Sequence, residues 1–443
     1  MTGRLGAGGN DRLAPVVPGV RVILDARPLQ DPDGAPTTAT YLAELLAAFA
    51  ADPLPGESFA LLLQAGQDDP TASAQLAGLD VVGRRFLPPT RLFRAAALTI
   101  DPLLLRGASL GAAWRAEAGG AAGSVYHAAG GAAPLASGVP VVVTLLDLAP
   151  WELPDAYQAT TAARFGQRLR ARILRDAAAV IVGSAAAARA ARRLLHLRRD
   201  RIRIVPLAPR APFTPTAAAG SAAEVARLGL PDRYLVYPGR YDARQDLGTL
   251  LRALAALAAR PVDPATESVG NGGSAAMART SASVSLPVPW PPRLVLVGAS
   301  PADRAALARA AAREGVGELV SYAPYLATER LAAIIGGARA VVLPALSESA
   351  GLAAVEALAC GTPVVASAVG ALPELVAGAG ILVEPRDPRR LAVALATAWS
   401  DETVHARLAA EARARAVAVA RTWSDVARET RAVYASVARP SIG

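Results

Sequence analysis

The sequence predicts an α/β protein of two Rossmann-like domains, each a doubly wound parallel sheet, facing a central cleft. Three observations predict it. Short apolar runs alternate with segments of helical periodicity along most of the chain, as in a parallel sheet with crossover helices. A proline-rich stretch from Pro206 to Pro231 breaks that alternation, and a second α/β series begins after it. The 443 residues exceed one ordinary core and suit two domains of about 200 residues each.

Taken in order, residues 1–19 lack the apolar core of a secretory signal and read as a disordered leader. The first domain is expected over 20–208. Val22–Leu24 opens it as a strand, and Leu42, Leu45, Leu46 and Phe49 follow at the spacing of a buried helix face. Further strands are expected at Phe59–Leu63, Val81–Leu87, Ser124–Ala128, Pro140–Leu148 and Ala178–Ser184. Residues 209–231 are expected to link the domains, and the second domain to span 232–425. In it RYLVYPG reads as a strand, Asp246 as a cap for a helix carrying Leu247, Leu250, Leu251 and Leu254, and RLVLVGAS, ARAVVLPAL, TPVVAS and GILVEP as four more strands. The Gly, Ser, Thr and Pro-rich tract at 262–292 is too poor in apolar periodicity to pack and reads as a disordered insertion. A long interrupted helix from Arg389 to Val437 ends the chain, with 426–443 as closing helix and tail.

Composition narrows the function. The chain is 53% hydrophobic and 19% charged, with no uninterrupted apolar stretch of the ~20 residues a spanning helix needs; a cytoplasmic protein is expected. Cys360 is the sole cysteine and reads as a buried helix residue. With three scattered histidines besides, neither a disulfide nor a metal cluster is expected. The net charge of +9 is carried by arginine alone, since the chain has no lysine. Arg164, Arg168, Arg172 and Arg175, with the group from Arg189 to Arg203, read as a solvated helix face or as a patch for peripheral contact with an anionic membrane. They lack the interleaved aromatics that stack bases, so no nucleic-acid partner is expected.

Two doubly wound domains should bind a ligand between them, at the carboxyl ends of their strands, and a nucleotide is the default for such a cleft. Neither a Walker loop nor a strand-G-x-G-x-x-G-helix fingerprint is present, which disfavours P-loop and dinucleotide readings. The strongest local signal is VVLPALSESAGLAAVEALACGTPVVAS. It predicts a strand ending at Pro344, a loop with Ser347 and Glu348, and a helix from near Gly351 to Ala359, stopped by Gly361. Glu348 then lies beside the helix N-terminus and Glu356 inside the helix. The amides of Ala350, Gly351 and Leu352 are expected to be unpaired and to seat a phosphate or sugar oxygen. Carboxylates nearby suit sugar and ribose hydroxyls, because each accepts several hydrogen bonds.

Here the chain resembles the retaining glycosyltransferases of family 4, group 1 enzymes with a GT-B fold and two glutamates separated by seven residues. The likeness continues through ACGTPVVAS, VGALPELV and GILVEPRDPRRLAVAL, and more thinly through VILDARPL, SVYHA and PVVVTLLDLAPWELPDAY in the first domain. It implies a hexosyltransferase using a nucleoside diphosphate sugar as co-substrate, with no metal cofactor and a glycan, lipid-linked or small-molecule acceptor. It implies that Glu348 contacts the transferred sugar, that Gly351 and Leu352 offer amides to the sugar or distal phosphate, and that Glu356 holds the ribose. Arg240 would face the pyrophosphate and stabilise the departing diphosphate. Ser184 would touch the ligand or cap a helix, and His127 matches a recurrent family histidine or serves the core.

The chain departs from the family at three places that bear on catalysis, and at a fourth, Ala350, that only loosens the loop. Gln245 stands where a lysine is usual, with Arg244 beside it as a compensating charge. Leu146 replaces an active-site histidine, Gly34 is alone in a normally glycine-rich turn, and Ala350 replaces a phenylalanine. The alternative to an active enzyme is therefore a degenerate GT-B protein that binds a nucleotide sugar or a partner transferase.

Overall fold

A computed structural model describes residues 19–88, 105, 123–130, 133–239, 241–259 and 288–438. The leader at 1–18, Arg240, residues 262–287 of the expected insertion and the last residues of the tail lie outside the described residues.

The first sheet comprises β1 Arg21–Asp25, β2 Ser58–Gln64, β3 Val81–Leu87, β4 Ser124–Ala129, β5 Val141–Thr144, β6 Ala179–Val182 and β7 Ile202–Ile204. They pair in parallel in the order β3-β2-β1-β4-β5-β6-β7. The second comprises β8 Leu235–Tyr237, β9 Leu294–Val297, β10 Val320–Ala323, β11 Ala340–Leu343, β12 Val364–Ser367 and β13 Gly380–Val383, parallel in the order β10-β9-β8-β11-β12-β13. Inner strands such as LVLV of β9 and AVVL of β11 are buried at every residue. Helices cover both faces of a doubly wound sheet, so such strands are apolar without alternation.

The helices are α1 Arg27–Gln30, α2 Pro36–Ala51, α3 Ala149–Glu152, α4 Pro154–Tyr157, α5 Thr161–Asp176, α6 Ala185–Leu195, α7 Ser221–Leu228, α8 Leu247–Ala258, α9 Pro301–Arg313, α10 Thr328–Gly337, α11 Leu352–Ala359, α12 Leu372–Val376, α13 Pro388–Ser400, α14 Glu402–Val419 and α15 Trp423–Val437. The expected long final helix is thus three helices. Asp401 starts α14 by accepting from the Val404 amide, and a capping box of Thr422 and Asp425 starts α15.

Several boundaries move. The strand expected over Pro140–Leu148 leaves the sheet after Thr144; Leu145, Leu146 and Leu148 are apolar because the loop that follows is buried in the first lobe's own cores. Residues expected to link the domains belong to the second lobe, since Phe213, Val225 and Leu230 are buried in its core. At the end of the expected insertion, Val288 and Trp290 pack against that lobe's other core face, and Trp399 Nε1–H donates to the Pro289 carbonyl. The closing helix begins at Trp423, three residues early, because the capping box sits there. It crosses back to the first lobe, where Trp423, Val426, Val433 and Tyr434 join Tyr41 and Phe49 of α2 in one core. Arg431 seals that return with a buried, two-pronged pair to Glu57 at 2.6 and 2.8 Å.

Candidate active site

Each sheet reverses its winding between the strand that opens it and the fourth in chain order, and ligands of open α/β sheets bind at that crevice. In the second lobe the crevice separates β8 from β11. The chain leaving β8 passes Gly239 and reaches Asp242, Arg244 and Gln245; the chain leaving β11 carries Ser347, Glu348 and Ser349. An antiparallel bridge between Gln245 and Ala345 zips the two loops together through two hydrogen bonds, the Leu346 amide on the Arg244 carbonyl at 2.6 Å and the Asp246 amide on the Pro344 carbonyl at 2.7 Å. Arg244 and Glu348 are held near each other as a result.

Arg244 is only 7% exposed and lies between two carboxylates. Its Nη2 is 2.8 Å from Asp242 and its Nη1 3.1 Å from Asp147, which comes from the first lobe. Burial works against its charge, but the Asp242 hydrogen bond and the charges of Asp147, Asp242 and Glu348 outweigh it and hold its pKa above the usual range. Gln245 contributes its backbone to the zipper.

Glu348 differs from its expected surroundings. Its Oε1 accepts from the Gly351 amide at 2.8 Å and from the Ala350 amide at 3.3 Å, so two amides expected to be open carry this carboxylate. The cause is local. A carboxylate four residues ahead of a helix reaches the amides that lead into it, here those of Ala350 and the N-cap Gly351, and sits favourably in the helix dipole. Gly351 takes φ 69°, and a Cβ there would meet the Leu375 side chain at 2.1 Å, so this turn requires glycine. Burial raises the Glu348 pKa, opposed by the Gly351 amide and Arg244.

Glu356 faces the same crevice from inside α11 and is 3% exposed. It is bound by Arg210, whose Nε donates to Oε1 at 2.6 Å and Nη2 to Oε2 at 3.1 Å. Burial pushes the carboxyl pKa up and Arg210 opposes it. Cys360 is buried at the far end of α11, and burial pushes its thiol up to about 12.

The first lobe closes over this loop. Ser349 Oγ accepts from the Leu148 amide at 3.0 Å, and the Ser349 carbonyl accepts from Ser184 Oγ at 3.1 Å. Ser184 Oγ also caps α6 through the Ala187 amide at 2.9 Å. Ser184 thus caps a helix, one of its two expected roles, and ties the lobes together through its donated hydrogen bond. Ala350, expected to bind donor, is 4% exposed and belongs to the first lobe's core, against Gly183. Leu352 packs beside it. Glu374 of α12 accepts from the first two amides of α6, Ala185 and Ala186, at 2.9 and 3.0 Å, and Ser347 Oγ donates to Glu152 at 2.5 Å.

His127 belongs to the core. It has no exposed surface, with Nε2 2.8 Å from Thr144 Oγ1 and Nδ1 2.7 Å from the Tyr434 hydroxyl. Burial lowers its pKa to about 3, and Leu146 is buried in the neighbouring apolar cluster.

The sequence reading thus finds Glu348, Glu356, Arg244, Gln245 and Gly351 in one crevice. It misses Asp147, Asp242, Arg210, Glu374 and Ser349. Asp242 was visible as an acid two residues before Arg244, and Asp147 as a lone charge in an apolar stretch; Arg210 was hidden in a segment read as linker. No group of three or more His, Cys, Asp or Glu able to hold a metal ion occurs among the described residues.

Two parallel doubly wound lobes closed over such a crevice define the GT-B class of fold. Solved structures agree: sucrose-phosphate synthase from Thermosynechococcus elongatus superposes with a TM-score of 0.67 at 22% identity, over 94% of this chain and 98% of that one. Anabaena HepE, solved with UDP and glucose, gives 0.63 at 16% identity, over 94% of this chain and 100% of that one. Residues 36–208 match the model of the glycosyl transferase 4-like domain, and residues 282–401 that of the glycosyl transferases group 1. The chain belongs to the group 1 glycosyl transferases. Among curated proteins, D-inositol 3-phosphate glycosyltransferase of Streptomyces griseus is 38% identical over 183 residues, which span 40% of this chain and 34% of that relative.

Proposed function

We propose that this chain is a retaining hexosyltransferase that moves mannose or glucose from a nucleoside diphosphate sugar to a glycan, lipid-linked or small-molecule acceptor. The observation that carries it is the crevice between β8 and β11, where Glu348 ahead of α11 lies near Arg244, with Glu356 two turns further along on α11. Glu348 accepts from the sugar hydroxyls, Glu356 from the ribose, and Arg244, with Arg240 ahead of it, meets the charge that develops on the departing diphosphate. The acceptor hydroxyl attacks from the face the diphosphate leaves. These cations and the amides of α11 supply the positive field without a metal, so turnover should persist in excess chelator. The curated relative's name makes a phosphorylated cyclitol one acceptor to include.

Calorimetry with UDP and GDP, followed by hydrolysis of UDP-glucose and GDP-mannose, tests the reading with Glu348→Ala as control. Turnover that vanishes in the control supports it; an unaltered chain that binds neither nucleotide sinks the donor-site assignment. One observation favours a second reading, a non-catalytic GT-B protein. The groups that should meet the donor are already engaged within the protein: Glu348 by its own amides, Glu356 by Arg210, Arg244 by two aspartates. Nucleotide binding without turnover across a broad donor and acceptor panel selects it.

Peripheral contact with an anionic membrane belongs to the same proposal. Arg164, Arg168, Arg172 and Arg175 are exposed on α5 beside Phe165, which is 56% exposed, and Arg189, Arg192 and Arg193 are exposed on α6. No helix among the described residues is long and apolar enough to cross a membrane.

A further inference from the structure

We propose that Arg210 is a positioning residue for nucleotide recognition: it fixes Glu356 as an oriented carboxylate whose remaining acceptor capacity receives a ribose hydroxyl. The inference rests on the proposed donor site and adds a residue that neither the glutamate pair nor Arg244 implies.

Arg210 is held on three sides. Its Nε and Nη2 fork onto Glu356, its Nη1 donates to Thr328 Oγ1 at 3.2 Å, and its guanidinium lies 4.9 Å from the Phe213 ring centroid. A carboxylate has about four acceptor positions; the forked guanidinium fills two, and the Arg210 backbone amide bears on the same group. What capacity remains suits a ribose hydroxyl, provided the group stays ionised. Protonated, it would become a donor on one oxygen and lose that match.

Burial alone favours the protonated form. Among the described groups acting on Glu356, Arg210 supplies the positive charge. The other titratable groups facing the pair are Glu44 on α2, Cys360 at the end of α11 and Tyr325 beyond β10, none of them a cation. Glu44 and Glu356 each raise the cost of the other's charge, with Arg210 between them in effect. Removing the guanidinium leaves the buried Glu356 and the half-buried Glu44 without a cation between them. The same arginine comes from the segment joining the two lobes, so ribose recognition is wired to the inter-lobe connection.

The test is calorimetry with whichever of UDP and GDP the unaltered chain binds, and with its 2′-deoxy form, between about pH 5.5 and 8.5. The unaltered chain should prefer the ribonucleotide by roughly tenfold or more, as a lost hydrogen bond to a charged group predicts, with little change across that range. In Arg210→Gln the preference should collapse at the acid end and return as pH rises and Glu356 ionises. Arg210→Lys, which keeps the charge but not the fork and serves if the glutamine variant does not fold, should stay flat with pH and show a reduced preference. Unchanged preference and flat pH response in Arg210→Gln would overturn the inference, as would a lysine variant indistinguishable from the unaltered chain. Tighter nucleotide binding in Arg210→Gln would overturn it too, by showing that Arg210 shields Glu356 from ligand. An unaltered chain that binds no nucleotide fails the donor-site reading itself, whereas binding that ignores Arg210 fails only this inference.

Discussion

Arg244 stands between carboxylates from both lobes, the one described cation tied to loops on both sides of the crevice. Arg244→Gln is expected to lower kcat/KM by roughly 100-fold or more, the cost of losing one charged partner of a developing anion, measured by steady-state turnover of the donor that proves active. His127 gives a stability prediction. Its folded pKa of about 3 lies below the 6.5 of the free side chain, so the unfolded chain binds the extra proton between these values. Stability from this residue is therefore complete above about pH 6.5 and falls as pH drops toward 3, by up to about 1.4 kcal/mol per pH unit. Urea unfolding across that range should show His127→Gln losing less stability on acidification than the unaltered chain; equal slopes would refute the assignment. Glu348 and Glu356 were legible because two glutamates at a fixed interval flank one helix start. Their partners were not: Arg210 meets Glu356 across 146 positions of sequence, and only the folded chain brings such groups together.

At the level of elements, two helix starts face the junction and each holds a carboxylate. Glu348 sits on α11 of its own lobe, while Glu374 reaches across to α6. Glu374→Ala should cost about 1–2 kcal/mol, the scale of a charge-assisted cap at a helix N-terminus. Faster hydrogen exchange at the Ala185 and Ala186 amides would accompany it; unchanged protection there would show that the cap is idle. Strands were readable where burial on both faces made them uniformly apolar, as in β9 and β11. The edges β7 and β10 were missed because their serine, tyrosine and arginine are half-exposed and dilute the apolar run. The opposite error lengthened β5, since Leu145, Leu146 and Leu148 are apolar for the sake of a loop buried in the first lobe's own cores.

Across the whole molecule, charge is distributed by face. Arg164, Arg168, Arg172 and Arg175 of α5 and the arginines of α6 are exposed on the first lobe, and Arg189, Arg192, Arg193 and His196 line a shallow depression. If that face meets anionic lipid, the protein should float with phosphatidylglycerol-containing vesicles and not with neutral ones, and come off as salt shortens the screening length to a few ångströms. A variant with Arg164, Arg168 and Arg172 changed to glutamate should stay in solution; flotation that survives those changes would sink the idea. Two lobes were visible in the sequence as two α/β series, but their mutual closure was not, because it depends on pairs such as Leu148 with Ser349, 201 positions apart. The return of α15 to the first lobe has its own consequence for synthesis. Tyr41 and Phe49 wait for Trp423 and Tyr434 to cover them. At the usual pace of a ribosome, the nascent first lobe must wait on the order of tens of seconds with that face bare. During that interval it is the natural client of a chaperone, and the half translated first is among the last to be finished.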